Sequence, residues 1–320
     1  MIYSINVLII TYKQQDVIGR AIESALIQRN YGLNKIIIAD DCSPDNTWGV
    51  LSQYEKQYPD IIEIYRNEIN LGIYENLQKL ITRRGKADFY YKLSGDDVLC
   101  DGWFKVVQKN LNNTFLDLSK PIGIFSDWVS VLPNGNEHLY SASDIERKLP
   151  LISLYIRERG FGSGRSLLIN DNVISQYEPL VLGHGLNLTE SCFDSQDFRF
   201  IQNVFYIPYT ASVYYGGRGV SLELFGNKSD YFTTQAIYKW NYFINNYLEI
   251  KEDIWYAKYG IEKAKYYKKP SIACLFRILC YYHRGKLKEL DYDANDYWKI
   301  AKPLLRYGAA KFIKKVLGRS

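Results

Sequence analysis

Residues 5–10 (Ile5-Asn6-Val7-Leu8-Ile9-Ile10) form a nearly unbroken apolar run, and after Asp16 the apolar positions change period. Val17, Ile18, Ala21, Ile22, Ala25 and Leu26 recur as one face of a helix, with Asp16 as its expected cap. The alternation then repeats. Ile36-Ile37-Ile38-Ala39 predicts a strand ending at Asp40-Asp41, and Ser43-Pro44 predicts a helix start with Ser as cap and Pro in the first turn. A third strand is expected over 61–65, a helix over 73–82 after Asn70-Leu71-Gly72, and a fourth strand over 89–93. A helix over 103–110 and a strand over 122–125 complete the first 126 residues. Strands alternating with helices of this length imply βαβ units, hence an α/β fold with a mostly parallel sheet.

Beyond Ser126 the pattern loosens. Pro133-Asn134-Gly135-Asn136 predicts a turn, residues 160–164 a flexible turn, 166–169 a strand, 183–195 a loop and 198–202 helical spacing. From about Asp230 the chain is rich in Tyr and Lys and mostly helical in spacing. The expected organisation is one α/β domain over 1–228, in two parts, 1–126 with regular alternation and 127–228 with the looser pattern. A basic helical region follows over 229–320.

Composition changes this picture little. A chain of 320 residues with 47% hydrophobic and 23% charged content suits a soluble globular protein. The amino terminus lacks the pattern of a secretory leader, and no apolar run reaches transmembrane length, so a cytoplasmic location is expected. Five scattered cysteines fit reduced thiols better than a disulfide frame or a zinc site. Charge is more informative. Residues 1–228 carry a net −4 and residues 229–320 a net +9, so the overall +5 belongs to the carboxyl-terminal region.

The chemistry-bearing residues fall where the predicted strands end. Thr11-Tyr12 follows the first strand, Asp40-Asp41 the second and Asp96-Asp97 the fourth, while Gln196-Asp197 opens a later helix. Ligands of open α/β sheets lie outside the carboxyl ends of the strands. There, adjacent carboxylates repel unless a cation or a hydrogen-bonded ligand neutralises them, and hard oxygen ligands suit Mg²⁺ or Mn²⁺ with a phosphate. Tyr12 can stack on a base, and Asp40 can accept the N3–H of uracil, which cytosine lacks. Asp96 and Asp97 can hold a ribose and a diphosphate-bound metal.

Four blocks in this spacing, Ile5 to Tyr12, Ile38-Ala39-Asp40-Asp41-Cys42-Ser43, Asn70-Leu71-Gly72 and Leu93-Ser94-Gly95-Asp96-Asp97, resemble the family 2 inverting glycosyltransferases of the GT-A fold. The resemblance runs over roughly residues 4–225. It implies a UDP-sugar donor, with Asp40 on uracil, Asp96 on ribose, Asp97 on Mn²⁺ or Mg²⁺, and Asp197 as the general base. Thr11 and Tyr12 would complete the donor site. Residues 214–218 and Ser221 resemble the tail of that domain, where a loop closes over the donor. Three positions depart from the usual pattern: Ile10 replaces a Pro, Ser94 an Asp and Gln196 a Glu. The acceptor implied is a glycan of the bacterial surface, such as a capsule or O-antigen repeat on a lipid diphosphate.

Other readings have weaker support in the residues. A sugar-phosphate nucleotidyltransferase needs a glycine-rich loop after the first strand, whereas Thr11 to Asp16 contains no glycine. A phosphoacceptor signalling module needs its acidic pair after the first strand. A catalytically inactive nucleotide-sugar binder would share every donor residue. Nucleic acid is not an expected partner, since no recognised binding motif accompanies the basic region. Asp127 (near the donor sugar), Asp194 (a substitute base) and His184 (near the acceptor) are secondary candidates. After Asp296 the chain holds seven Lys or Arg and no acid, interleaved with apolar and aromatic residues. That pattern predicts an amphipathic helix on the anionic inner face of the cell membrane, or one packed against the protein.

Overall fold

The computed structural model describes residues 1–114, 116–144, 146–148, 151–156, 166–177, 197–216, 237, 240–245, 248–285 and 301–306. The chain forms two compact units, one of residues 1–143 with 160–224 and one of residues 144–159 with 225–320.

In the first unit, β1 (Ile5–Thr11), β2 (Leu33–Asp40), β3 (Ile62–Arg66) and β4 (Phe89–Ser94) are joined by α1 (Ile18–Leu26), α2 (Thr47–Gln57) and α3 (Ile73–Thr82). The four strands lie in the order β3-β2-β1-β4 and pair in parallel. Parallel strands covered on both faces need apolar side chains on both, which explains why β1 is buried at nearly every position. On one face, Val7, Ile9, Ile36, Ile38, Phe89, Tyr91 and Leu93 pack with Ile18, Ala21, Ile22 and Ala25 of α1. Trp103, Phe104 and Val107 of α4 (Trp103–Asn112) join the same cluster. This is the βαβ arrangement with a parallel sheet that the alternation of strand and helix patterns predicts.

Beyond β4 the sheet becomes mixed, continuing as β8 (Leu167–Asn170), β6 (Ile122–Val131), β9 (Asn203–Tyr215) and the short β5 (Val98–Leu99). β7 (Glu137–Tyr140) pairs with β6 as a hairpin, its turn containing Gly135 at φ +80°. β6 runs six residues past the 125 expected, held by β7 on one side and β9 on the other. β9 had no clear signal in the sequence because Pro208 interrupts it. Pro cannot donate to a ladder, and here the register shifts so that Ser126 pairs with Ile207 and Asp127 with Thr210, leaving Pro208 in a bulge.

Two expected helix starts move. α1 begins at Ile18 with Val17 as N-cap and no side-chain cap, so Asp16 does not serve. Instead the Gln14 carbonyl accepts from the Val17 and Ile18 amides. α2 begins at Thr47, and Asp45 Oδ1 accepts from the Thr47 amide and hydroxyl at 3.1 and 2.6 Å. Ser43 is turned inward to Asp40.

The second unit is helical where described. It contains α5 (Leu151–Ile156), α7 (Lys251–Lys268) and α8 (Ile272–Arg284), α6 (Asp171–Ile174) belonging to the first unit. Ser271 Oγ accepts from the Cys274 amide and caps α8. Tyr259, Tyr266, Cys274, Ile278, Tyr282 and Leu304 form its apolar centre. Asp253 of α7 accepts from the Ser153 hydroxyl at 2.5 Å, which satisfies a fully buried carboxylate. Among the described residues no helix is long and apolar enough to cross a membrane.

Candidate active site

The parallel strands place the sequence-predicted residues along one edge of the sheet. Thr11 at the end of β1 pairs with Asp40 at the end of β2, and Ile10 pairs with Ser94 at the end of β4, two residues before Asp96. Donor-site candidates from three separate segments therefore converge outside adjacent strand ends.

Each residue there is held by specific partners. Thr11 is buried and its hydroxyl donates to Gln14 Oε1 at 2.8 Å. Tyr12 is half-buried, with the Lys13 ammonium 5.1 Å from its ring centre. Asp40 has no exposed surface; it accepts from the Ser43 hydroxyl and amide and is paired with Arg66 Nε at 3.3 Å. Burial raises the Asp40 carboxyl above the ordinary range, opposed by Ser43 and Arg66. Asp41 is structural: Oδ1 accepts from Asn67 Nδ2 and the Leu71 amide, both at 2.9 Å, and Oδ2 from the Gly72 amide at 2.8 Å. The Asp41 carboxylate is thus what fixes the Asn70-Leu71-Gly72 turn, with Gly72 at φ +85°.

After β4, Asp97 is buried and its amide donates to the Ser94 carbonyl at 3.1 Å, closing the turn. Its Oδ1 accepts from the Tyr215 amide at 3.2 Å, which ties the Asp96-Asp97 turn to the end of β9. Asp96 is half-buried. Among the described residues no three His, Cys, Asp or Glu side chains gather into a metal cluster.

Asp197 lies in a helical turn at 197–200, apart from that edge in sequence but linked to β4. Its carboxylate is fully buried; Oδ2 accepts from Lys92 Nζ at 2.5 Å and Oδ1 from the Tyr177 hydroxyl. Burial pushes the Asp197 carboxyl up to about 6, against the lowering effect of Lys92. A carboxylate in that range suits proton transfer near neutrality.

Lys92, Tyr177, Arg66 and Asn67 were not foreseen. Lys92 had a usable signal, a lone charge inside the strand Phe89-Tyr90-Tyr91-Lys92-Leu93. Tyr177 and Asn67 had none, since only the fold brings them to Asp197 and Asp41. Asp127, expected at a strand end, lies inside β6 at the bulge and accepts from the Tyr206 hydroxyl. His184, Asp194, Gln196 and the loops at 160–165 and 183–195 lie outside the described residues, as does Ser221.

The family model for glycosyl transferase family 2 matches residues 6–165, half of the chain, and takes in all of the four sequence blocks but Ile5, with the three strand ends. The chain belongs to glycosyl transferase family 2. Among solved structures, this family 2 chain is similar to S. aureus TarS residues 1–349, with a TM-score of 0.58 at 11% identity, covering 88% of this chain and 80% of that one. The same protein in complex with UDP-GlcNAc gives a TM-score of 0.57 at 11% identity, over 87% and 79% of the two chains. Among curated relatives, the processive diacylglycerol beta-glycosyltransferase of Mycoplasma pneumoniae is 27% identical over 116 residues, 36% of this chain and 34% of that protein. An uncharacterized protein of Mycobacterium tuberculosis is 26% identical over 96 residues, 30% of this chain and 28% of that one. The chain spans about a third of the length of these curated relatives.

Proposed function

We propose that this family 2 chain is an inverting glycosyltransferase that moves a hexose or N-acetylhexosamine from UDP to a glycan hydroxyl. The observation that carries the reading is the convergence of Thr11, Asp40 and Asp96-Asp97 at the ends of three adjacent parallel strands. Tyr12 stacks on the uracil and Asp40 accepts its N3–H. Because Arg66 covers the Asp40 carboxylate, base binding requires the half-exposed Arg66 side chain to swing off Oδ2. Asp96 takes the ribose. Two neighbouring carboxylates fit a Mg²⁺ or Mn²⁺ ion held by one or two acids together with substrate phosphates. Bound at Asp97, such an ion supplies Lewis-acid stabilisation of the departing diphosphate.

Asp197 acts as the general base. It takes the proton from the acceptor hydroxyl, the oxygen attacks the anomeric carbon, and the bond to the diphosphate breaks with its electron pair leaving on UDP. One displacement inverts the centre, so a single carboxylate suffices. The acceptor hydroxyl has to replace that of Tyr177 on Oδ1. The acceptor is a growing bacterial surface glycan on a lipid diphosphate, and the enzyme works in the cytoplasm on the inner face of the membrane. The S. aureus complex makes UDP-GlcNAc the first donor to try.

A thermal-shift titration tests the donor. At a hundredfold excess over Kd, UDP with Mn²⁺ should stabilise the chain by about 2.7 kcal/mol, a shift of several degrees. GDP should give less, thymidine diphosphate an intermediate value, and EDTA or Asp97→Ala should remove the metal-dependent part. Absence of any shift with UDP and Mn²⁺ would overturn the donor assignment. Slow hydrolysis of a UDP-sugar separates the enzyme from an inactive binder.

A further inference from the structure

β4 carries a lysine where the rest of the strand is built to be covered. Phe89, Tyr91 and Leu93 enter the apolar cluster on one face, while Tyr90 and Lys92 point to the other. The Lys92 side chain is 11% exposed, and its ammonium meets Asp197 Oδ2 at 2.5 Å. It also reaches the Tyr177 hydroxyl at 3.5 Å. Taking two charges out of water costs more than a well-packed apolar pair of the same volume, so such a pair is a poor device for stability alone.

We infer that Lys92 is a positioning residue for the reaction: it holds Asp197 as a carboxylate through Oδ2, so that Oδ1 is the oxygen presented to hydroxyl donors. The inference rests on the reading of Asp197 as the base. Oδ1 already accepts an O–H, that of Tyr177, which has the donor chemistry of an acceptor sugar. Among the described residues, the charged and titratable groups facing Asp197 are Lys92 from β4 and Tyr177 in the segment after α6. Arg199, on the same turn as Asp197, has its guanidinium over the Phe200 ring at 5.1 Å. The pull of Lys92 on the Asp197 carboxyl runs in the direction the inference needs, toward the ionised form. The placement also couples two tasks. β4 ends in the turn that carries Asp96 and Asp97, so one strand sets both the donor-side acids and the base.

The test compares wild type, Lys92→Met, Lys92→Gln and Lys92→Arg, each checked for a cooperative melt. The Asp197 carboxyl is titrated by NMR on protein labelled at the aspartate carboxyl carbon, with Asp197→Asn identifying the resonance. The pH profile of UDP-sugar hydrolysis is recorded in parallel. Met and Gln should raise the Asp197 titration point by at least about one pH unit and move the acidic limb of kcat/KM alkaline by the same amount. That corresponds to about tenfold less activity well below the limb. Arg, which keeps the charge, should leave both close to wild type. An Asp197 titration unmoved in Met and Gln overturns the inference, as does a limb that stays while the titration moves. Failure of the base reading looks different: Asp197→Asn would then retain turnover while the Asp197 resonance still responds to Lys92→Met.

Discussion

At Asp197, proposed above as the base, one proton is expected to act on folding and on turnover with opposite sign. The folded carboxyl titrates at about 6, above an ordinary value of 3.8, so the folded chain binds this proton more tightly than the unfolded chain. Its contribution to stability is therefore full below about pH 4 and is lost as pH rises through about 6. A general base works only once ionised, so on the proposed mechanism turnover should rise over the same interval. Asp197→Asn should keep UDP affinity, lower turnover by about 10² to 10⁴ and remove this part of the stability slope. Urea denaturation and hydrolysis rates across pH 4–7 measure the two effects, and near-normal turnover in the variant would move the base elsewhere.

The strand-end turns are the elements on which the proposed donor edge depends. Gly95 sits in the β4 turn where an added Cβ would lie 2.3 Å from Gln14 Oε1, 2.9 Å from Ile18 Cδ1 and 3.1 Å from the Ile10 carbonyl. Gln14 can move, but the backbone carbonyl and α1 cannot do so cheaply. Gly95→Ala should destabilise the chain by about 1–3 kcal/mol through overpacking. It should also weaken UDP binding, because displacing Gln14 breaks its hydrogen bond with Thr11. A denaturation curve with a UDP titration checks both; wild-type values would mean that the turn tolerates a side chain. At Gly123, too, an added Cβ would lie 2.5 Å from Ile201 Cδ1, where β6 meets the turn after Asp197.

In the molecule as a whole, the basic carboxyl-terminal region carries both buried and exposed apolar residues. Where residues 301–306 are described, Ala301 and Leu304 are buried and Lys302, Leu305 and Arg306 are exposed. Part of the tail's apolar side therefore packs inside its own unit, Leu304 joining the tyrosine cluster. Other apolar surface stays outward in that unit, with Ile272 at 89% and Phe276 at 67% exposure on α8. Each Lys or Arg close to an anionic leaflet adds about 1 kcal/mol. The full chain should sediment with anionic liposomes at low salt and release at high salt, and truncation after Asp296 should abolish this while leaving UDP binding intact. A full chain that ignores such liposomes at low salt would leave the tail a structural element.

The sequence by itself determined the βαβ order and which residues close the strands. Apolar runs and helix spacing are local, and each records burial of its own residues; the 73–82 helix came out at its expected bounds for that reason. It also marked Thr11, Asp40, Asp96 and Asp97 as neighbours, because consecutive parallel strands must end on one edge. The tertiary structure decided what local pattern does not encode. Ser43 read as a helix cap, but Asp40 beside it is buried and needs a donor more than the helix does. Pro208 hid β9, since a bulge that tolerates proline exists only once β6 is alongside. Lys92, Tyr177 and Asp197 are far apart in the chain, and one buried charge becomes affordable only where the fold delivers another to it.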